Sequence, residues 1–487
     1  LLPRVRAGTL RALGVSTRNR LSIAPDIPAI AETLPGFDLS AWYGIVGPPG
    51  LPEPIVRRLH DEIRKAMASP DIARRLNTEG ATHWDVSSEE FRSYVAAETQ
   101  RWKTVIEAAK KRGEFIASFG GGEQVLPAGF SRVLLDSIVR SRNGNGPPTA
   151  ADSAALRAGL PALVARMIGR EEDDGHKHPG VTSCHDITLY PGIGMAGGAC
   201  EGYGLLIDIK DPANPRRTAA VSDTNFSYWH SATFNNDGTK ILFSDEWGGG
   251  GGPKCRASDP KEWGANAIFT VENGRMVFQS YYKMSAPQTS FENCVAHNGS
   301  LIPIPGRDVM VQAFYQGGLT VFDYTDPKKP TEIAFFDRGP IDGARMGNGG
   351  SWSVYWYNGL MVSSEIGRGL DILELTPSPA LSQNEIDAAK TVKLEYLNAQ
   401  GQPKHVWPPS YSLARAYVDQ LERSGGLNGG RISAIRQGLA DAERASGAAR
   451  STALTQLAGQ VTADANGSND AGKVRMLADA VKRLAAM

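Results

Sequence analysis

The sequence has no long apolar run. Nothing approaches the roughly 18 consecutive apolar residues that a membrane-spanning helix needs, so no helical bilayer span is expected. It has no excess of either charge: Lys+Arg 52 balance Asp+Glu 52. The clustered positive charge that phosphate binding depends on is therefore missing, and a nucleic-acid partner is not expected. Cysteines are few, four in 487 residues, and none sits in a Cys-x-x-Cys pair, which leaves zinc-ribbon and thioredoxin-like sites without their ligands. No Gly-x-Ser-x-Gly elbow and no recognisable Cys–His arrangement occur, so nucleophilic catalysis by Ser or Cys lacks a constellation. The opening LLPRVRAGTLRALGVST also lacks the charged, apolar and small-residue order of a signal peptide. An exported product would have had its leader removed, or the chain is a fragment.

What is present is turn chemistry and length. Gly 54 and Pro 30 make up about one residue in six, which favours a turn-rich β protein over a helical bundle. A chain of 487 residues exceeds one ordinary core, so two or more units are expected. From Cys184 to Leu375 the text repeats. The segments CHDITLY, WHSATFN, AHNGSLI and SWSVYWYNG open alike, and each is followed by two or three short β-branched or aromatic runs. Their spacings of 45, 67 and 55 residues lie near the roughly 40 to 50 of propeller blades, with one large loop inserted. LLIDIKDPANPRR and VFDYTDPKKPTEI match each other with their aspartates, Asp211 and Asp326, 115 residues apart. In each, an apolar strand ends in Asp-Pro-x-x-Pro: the first proline presets a turn, the aspartate bonds the turn backbone, and Pro215 or Pro330 starts the next strand. These read as hairpin joints between outer strands.

Around that region the chain divides into four. Residues 1–113 read as an α/β segment, with a short strand from Leu10 to Thr17, a helix from Pro54 to Ala68 whose Ile55, Leu59, Ile63 and Met67 form one stripe, and a second helix opened by the capping box of Ser87 and Glu90. Residues 114–180 are breaker-rich, a linker with one helical insert from about Ala151 to Ile168. Residues 181–379 are the blades, of which four are visible and the last has three strands. A ring of this kind closes when a strand from elsewhere completes the last blade, so either residues before Cys184 supply it or earlier blades are missing. Residues 380–487 are helical, with a capping box at Ser382 and Glu385 and an amphipathic last helix marked by Leu477, Val481 and Leu484. The tail is expected to pack on the propeller's outside, with a subunit contact as the other use of its stripes. The fold class is thus mainly β: a partial or few-bladed β-propeller, with an amino-terminal α/β segment and a carboxy-terminal helical tail.

Two resemblances add to this. The order LPRVRAGTLRALGVST, APDIPAI, LPGF, WYG and PPGLP resembles the last third of the Bug, or tripartite tricarboxylate transporter, substrate-binding receptors. That resemblance implies a piece of a periplasmic-binding-protein-like fold, a periplasmic setting and small carboxylates as ligands, with Trp42 and Tyr43, beside Gly44, as a pocket edge. The family's other ligand loops are absent, so this segment reads first as a docking or vestigial α/β appendage. The strand-plus-turn segments, and the span from about 180 onward, resemble the LVIVD repeat of secreted bacterial β-propellers, which implies an extracytoplasmic propeller of largely unassigned biochemistry.

Candidate chemistry sits at the blade openings. His185, His230 and His297 each stand near one end of a presumed inner strand, with Asp186, Asp245, Glu246 and Glu292 close in sequence. Inner strands of a propeller line one channel, so these residues converge if the blades share an axis. Neutral imidazoles with one carboxylate suit a divalent metal, zinc, iron or manganese, and an open position would polarise water or dioxygen. The structural alternative is that the histidines hydrogen-bond neighbouring blades. His176 and His178, in a polar loop beside Asp173 and Asp174, carry a weaker metal signal. Cys184, Cys200, Cys255 and Cys294 permit two disulfides in three pairings, or four buried thiols. The run Gly248 to Gly252 lacks a Gly-Lys-Ser/Thr ending and reads as a flexible loop. Trp247, Trp263, Trp352 and Trp356 offer a rim platform for sugar or aromatic rings, if they are not packed between blades. Without a complete catalytic constellation, the reading that comes first is a non-enzymatic propeller that binds a protein or surface partner. A metal-dependent oxidoreductase or hydrolase using His185, His230, Glu246 and His297 is the competing one. Capture of small carboxylates by the first segment is the third.

Overall fold

The computed structural model describes residues 2–8, 10–47, 50–119, 122–142, 146–168 and 184–487. The chain forms two compact units, Leu1–Leu160 and Pro161–Met487. Within the first, after a short helix α1 (Leu2–Arg6), come α2 (Glu53–Met67), α3 (Pro70–Glu79) and α4 (Ser88–Lys111). Then follow the hairpin of β1 (Ile116–Phe119) and β2 (Gly122–Val125), α5 (Ala128–Ser141) and the start of α6 (Ala150–Ile168). The capping box at α4 forms as its sequence demands: Ser87 accepts from the Glu90 amide, and Glu90 reaches back to the Ser87 amide. Two expectations change. No strand forms from Leu10 to Thr17, where the described pairing is a single bridge between Val15 and Ala29, and Leu13 is 81% exposed; an apolar run makes a strand only when a neighbour takes up its ladder. Residues 114–142 are not plain linker but the hairpin and α5, which the breaker-rich flanks obscured.

The second unit is mainly β, a four-blade propeller arrangement followed by helices. Blade one is β3 (Asp186–Tyr190), β4 (Met195–Ala199), β5 (Gly204–Asp208) and β6 (Arg216–Val221). Blade two is β7 (Trp229–Phe234), β8 (Lys240–Asp245), β9 (Asn266–Glu272) and β10 (Arg275–Tyr282). Blade three is β11 (Gly299–Ile302), β12 (Val309–Ala313), β13 (Leu319–Asp323) and β14 (Thr331–Phe336). Blade four has three strands, β15 (Ser351–Tyr357), β16 (Leu360–Glu365) and β17 (Gly369–Leu373). Every pairing is an antiparallel neighbour in chain order, so each blade is a meander that local turns can build. The Asp-Pro turns join third to fourth strands: Asp211 accepts from the Ala213 amide and Asp326 from the Lys328 amide, and β6 and β14 begin one residue after Pro215 and Pro330.

Apolar residues fill the blade junctions. Tyr190, Leu206, Trp229, Phe234 and Phe243 pack the first junction, Ile268, Phe314, Phe322 and Tyr324 the second, and Val311, Val354 and Trp356 the third. Past blade four, the segment from Leu394 to His405 runs back to blade one. Asn358 exchanges two hydrogen bonds with the Leu394 backbone, and Gln400 and Gln402 bond the Leu189 backbone at 2.8 Å each. Ile187 and Leu189 of blade one and Leu370 and Ile372 of blade four stay between 39% and 62% exposed.

The helices α8 (Tyr411–Arg423), α9 (Gly429–Arg444), α10 (Gly447–Asp464) and α11 (Ala471–Ala485) close their apolar stripes on one another, with Leu477, Val481 and Leu484 in that core, while Ile386 and Ala389 of α7 (Gln383–Lys390) pack on blades three and four. They reach blade three through Trp407 to the Pro303 carbonyl and Gln420 to the Pro305 carbonyl. Glu385, fully buried, takes Arg307, Arg423 and Gln420; burial pushes its carboxyl up, but the two guanidiniums outweigh it and hold it below the ordinary range.

Candidate functional site

The blade openings bring their signature residues to one place. His230 is the extra residue of a bulge in the β7–β8 ladder, where Trp229 pairs Asp245 and the next register is Ser231 with Ser244. Trp352 occupies the same kind of bulge between β15 and β16. A bulged residue leaves the ladder and its side chain is re-aimed. His185 and His297 precede β3 and β11, anchored by their amides to the Ala199 and Ala313 carbonyls. The result is a row of rings. His185 and His230 centroids are 4.5 Å apart, His230 and His297 3.9 Å, and His297 and Trp352 5.6 Å.

Glu246, at the end of the β8 run, enters this row. Its Oε2 lies 3.5 Å from His230 Nε2 and its Oε1 3.4 Å from His297 Nε2. Ligand atoms of His185, His230 and Glu246 lie within 4.8 Å of one another, close enough that the three could hold a metal ion. His297 touches the carboxylate but stands outside that compact set. His230, Glu246 and His297 are buried, and His185 opens to solvent.

Burial sets the charge states. It holds the His230 ring down to about 2, with His297 and His185 adding to the effect, and the His297 ring down to about 3. Both are neutral imidazoles, the form that offers a lone pair to a metal. Burial raises the Glu246 carboxyl to about 7 against the opposing hydrogen bond from Tyr315. The Nδ1 atoms of His230 and His297 are buried and make no hydrogen bond. Tyr228 and His185 Nδ1 are 2.8 Å apart, and the Tyr228 hydroxyl reaches Glu201 at 3.4 Å. With its proton toward Glu201, the phenol oxygen accepts from Nδ1–H, and the lone pair of His185 Nε2 is left free.

The other carboxylates have structural work. Asp245 accepts three backbone amides, from Ser227, Tyr228 and Gly264, and Glu292 accepts from the Thr289 amide and hydroxyl. Asp186 lines a cavity of about 60 Å³ between the inner strands, with Ser231, Asn298 and Tyr355. The cysteines pair as Cys184–Cys200 and Cys255–Cys294. Of the four tryptophans, Trp247 and Trp356 are buried, Trp263 stacks on Trp247 at 4.3 Å, and Trp352 is 51% exposed. The glycine run is not an open loop. Gly248, Gly249 and Gly250 form a tight left-handed turn after Glu246, with Gly250 buried. Trp42 packs edge-on against Phe91 and Tyr94 of α4, and Tyr43 is 98% exposed. His176 and His178 lie outside the described residues. Sequence reasoning missed Tyr228 and Tyr315; the one available signal for Tyr315 was its place between β12 and β13, matching Glu201 between β4 and β5, both at positive φ.

Among known proteins, residues 1–111 match the family model for the tripartite tricarboxylate transporter family receptor. The chain is 38% identical over 104 residues to the UPF0065 protein in the tcbD-tcbE intergenic region of Pseudomonas sp. (strain P51), covering 21% of this chain and 31% of that protein. It is 31% identical over 107 residues to Protein BugT of Bordetella pertussis, covering 22% and 33%. The chain thus spans about a third of the length of these curated relatives. Among solved structures, the Pseudomonas aeruginosa periplasmic gluconolactonase PpgL gives a TM-score of 0.31 at 11% identity, over 47% of this chain and 57% of that one. The Dos1 propeller gives 0.27 at 12%, over 39% and 41%. Neither likeness bears on function.

Proposed function

We propose that the second unit is an extracytoplasmic propeller of the LVIVD type that carries a mononuclear divalent-metal centre, with His185, His230 and Glu246 as ligands and His297 beside them. The observation that carries this is the convergence of those side chains, 45 and 67 residues apart in sequence from one histidine to the next, around one carboxylate: His185, His230 and Glu246 within 4.8 Å of one another and His297 3.4 Å from Glu246. Two further facts support it. The buried rings are neutral, the form in which an imidazole presents a lone pair to a metal. Two imidazoles and a carboxylate are also a donor set for zinc or for iron(II), and both leave coordination positions open.

An ion held there would supply Lewis acidity toward a bound water or dioxygen. The chain's own part is to present neutral imidazoles, to fix His185 through Tyr228 and Glu201, and to keep three of the groups out of water while His185 faces it. The activity class is a metal-dependent oxidoreductase or hydrolase. Elemental analysis of untagged protein tests this: about one equivalent of zinc, iron or manganese is expected, and loss of it in His230→Ala. No stoichiometric metal in folded wild-type protein would leave the propeller as a binding module without this chemistry.

For the first unit, the receptor-family match over residues 1–111 supports a periplasmic setting and recognition of small carboxylates. Calorimetry with citrate and glutamate tests it; absence of heat removes the ligand part.

A further inference from the structure

Resting on that metal-centre reading, we infer that Tyr315 is a positioning residue that caps one oxygen of Glu246, so that the carboxylate can meet an ion through the other oxygen alone. The Tyr315 hydroxyl donates to Glu246 Oε1, the same oxygen that His297 Nε2 approaches at 3.4 Å. Oε2 is left facing His230 Nε2 at 3.5 Å. An oxygen that accepts the phenol hydrogen bond and has an imidazole at 3.4 Å beside it is crowded and partly spent as a donor to a metal. A one-oxygen ligand in turn keeps a coordination position open that a two-oxygen ligand would fill.

The backbone around Tyr315 is built to hold that phenol. Tyr315 has φ 53, a left-handed conformation that a bulky residue rarely adopts. It is kept there by two hydrogen bonds with Ser351, 3.0 Å from its amide and 2.8 Å to its carbonyl. Gly350, at φ +87, makes this approach possible, because an added Cβ would sit 1.9 Å from the Tyr315 carbonyl carbon. The ring then lies in the seat formed by the glycine turn: a Cβ on Gly250 would fall 2.3 Å from both the Tyr315 hydroxyl and its Cζ. The seat is itself tied down. Asn293 Nδ2 donates to the Gly250 carbonyl at 2.9 Å, the Cys294 amide donates to the Gly252 carbonyl at 3.1 Å, and Cys294 is disulfide-bonded to Cys255. The glycine run therefore begins two residues after Glu246, past Trp247, and makes room for the residue that orients Glu246.

Cobalt(II) titration of the metal-free full chain tests the inference, read by its visible absorption bands and by affinity. Tyr315→Phe keeps the ring in its seat and removes only the hydroxyl. It is expected to fold as wild type by far-UV circular dichroism, to bind Co(II) 10- to 100-fold more weakly, the usual cost of losing a hydrogen bond to a metal ligand, and to shift the absorption bands as the carboxylate rotates. Gly250→Ala, which leaves the phenol but displaces it, is expected to shift the bands in the same direction. Wild-type affinity and spectrum in Tyr315→Phe would overturn the inference alone. A wild-type chain that takes up no Co(II) would overturn the metal centre, and this inference with it.

Discussion

The two units use similar sequence signals to opposite effect. In the first, α2 has a well-formed apolar stripe, yet Ile55 and Leu59 stay 46% and 50% exposed, and its ion pairs, such as Arg64 with Asp85, sit on half-exposed side chains. In the second, the stripes of α8 to α11 close completely, and the Glu385 carboxylate is buried with two arginines. Amphipathic spacing thus specifies a helix in both places. Only a facing partner turns the stripe into stability, because the gain comes from apolar area removed from water.

Three measurements bear on that contrast. Glu385→Gln removes the buried carboxylate that Arg307 and Arg423 share, leaving Arg307 only Asp323 as a counter-charge, and is expected to lower the unfolding free energy of the second unit by about 3–5 kcal/mol in denaturant melts. Asp85→Asn in the first unit should leave its melt unchanged; equal effects from the two would erase the distinction. Next in size, the Cys255→Ser/Cys294→Ser pair opens a loop closed over 39 residues and should cost about 3–4 kcal/mol on loop-entropy grounds. A change below about 1 kcal/mol would mean that the turn beside Glu246 is held without the bridge. The smallest effect is acid sensitivity. Because the folded Glu385 carboxyl titrates below its ordinary value of 4.5, its contribution is complete above that value and is lost as the pH falls through the lower folded one. Stability measured from pH 7 to pH 3 should therefore decline less steeply in Glu385→Gln than in wild type, and parallel curves would remove Glu385 as the cause.

Much of this was legible in the residues. The blade openings, the Asp-Pro joints at Asp211 and Asp326 and the capping boxes at Ser87 and Ser382 are local devices, and each appears where its spacing places it. The strand expected at Leu10 to Thr17 failed for want of a pairing neighbour, and the hairpin at Ile116–Val125 was hidden among breakers. In the candidate site, the histidines and Glu246 were visible as residue types at repeating places. Tyr315 was not, because its role depends on a left-handed backbone and on two glycines from other segments.

By itself, then, the sequence determined a turn-rich meander of blades, a helical tail and three histidines at matching openings, since these follow from short-range periodicity and turn chemistry. The tertiary structure alone decided that His230 leaves its ladder in a bulge, that His297 stands behind Glu246 rather than among the three closest ligand groups, and that Tyr315 claims one of the two carboxylate oxygens. Register and the approach of one blade to the next are set by packing across long stretches of chain, and no local pattern encodes them.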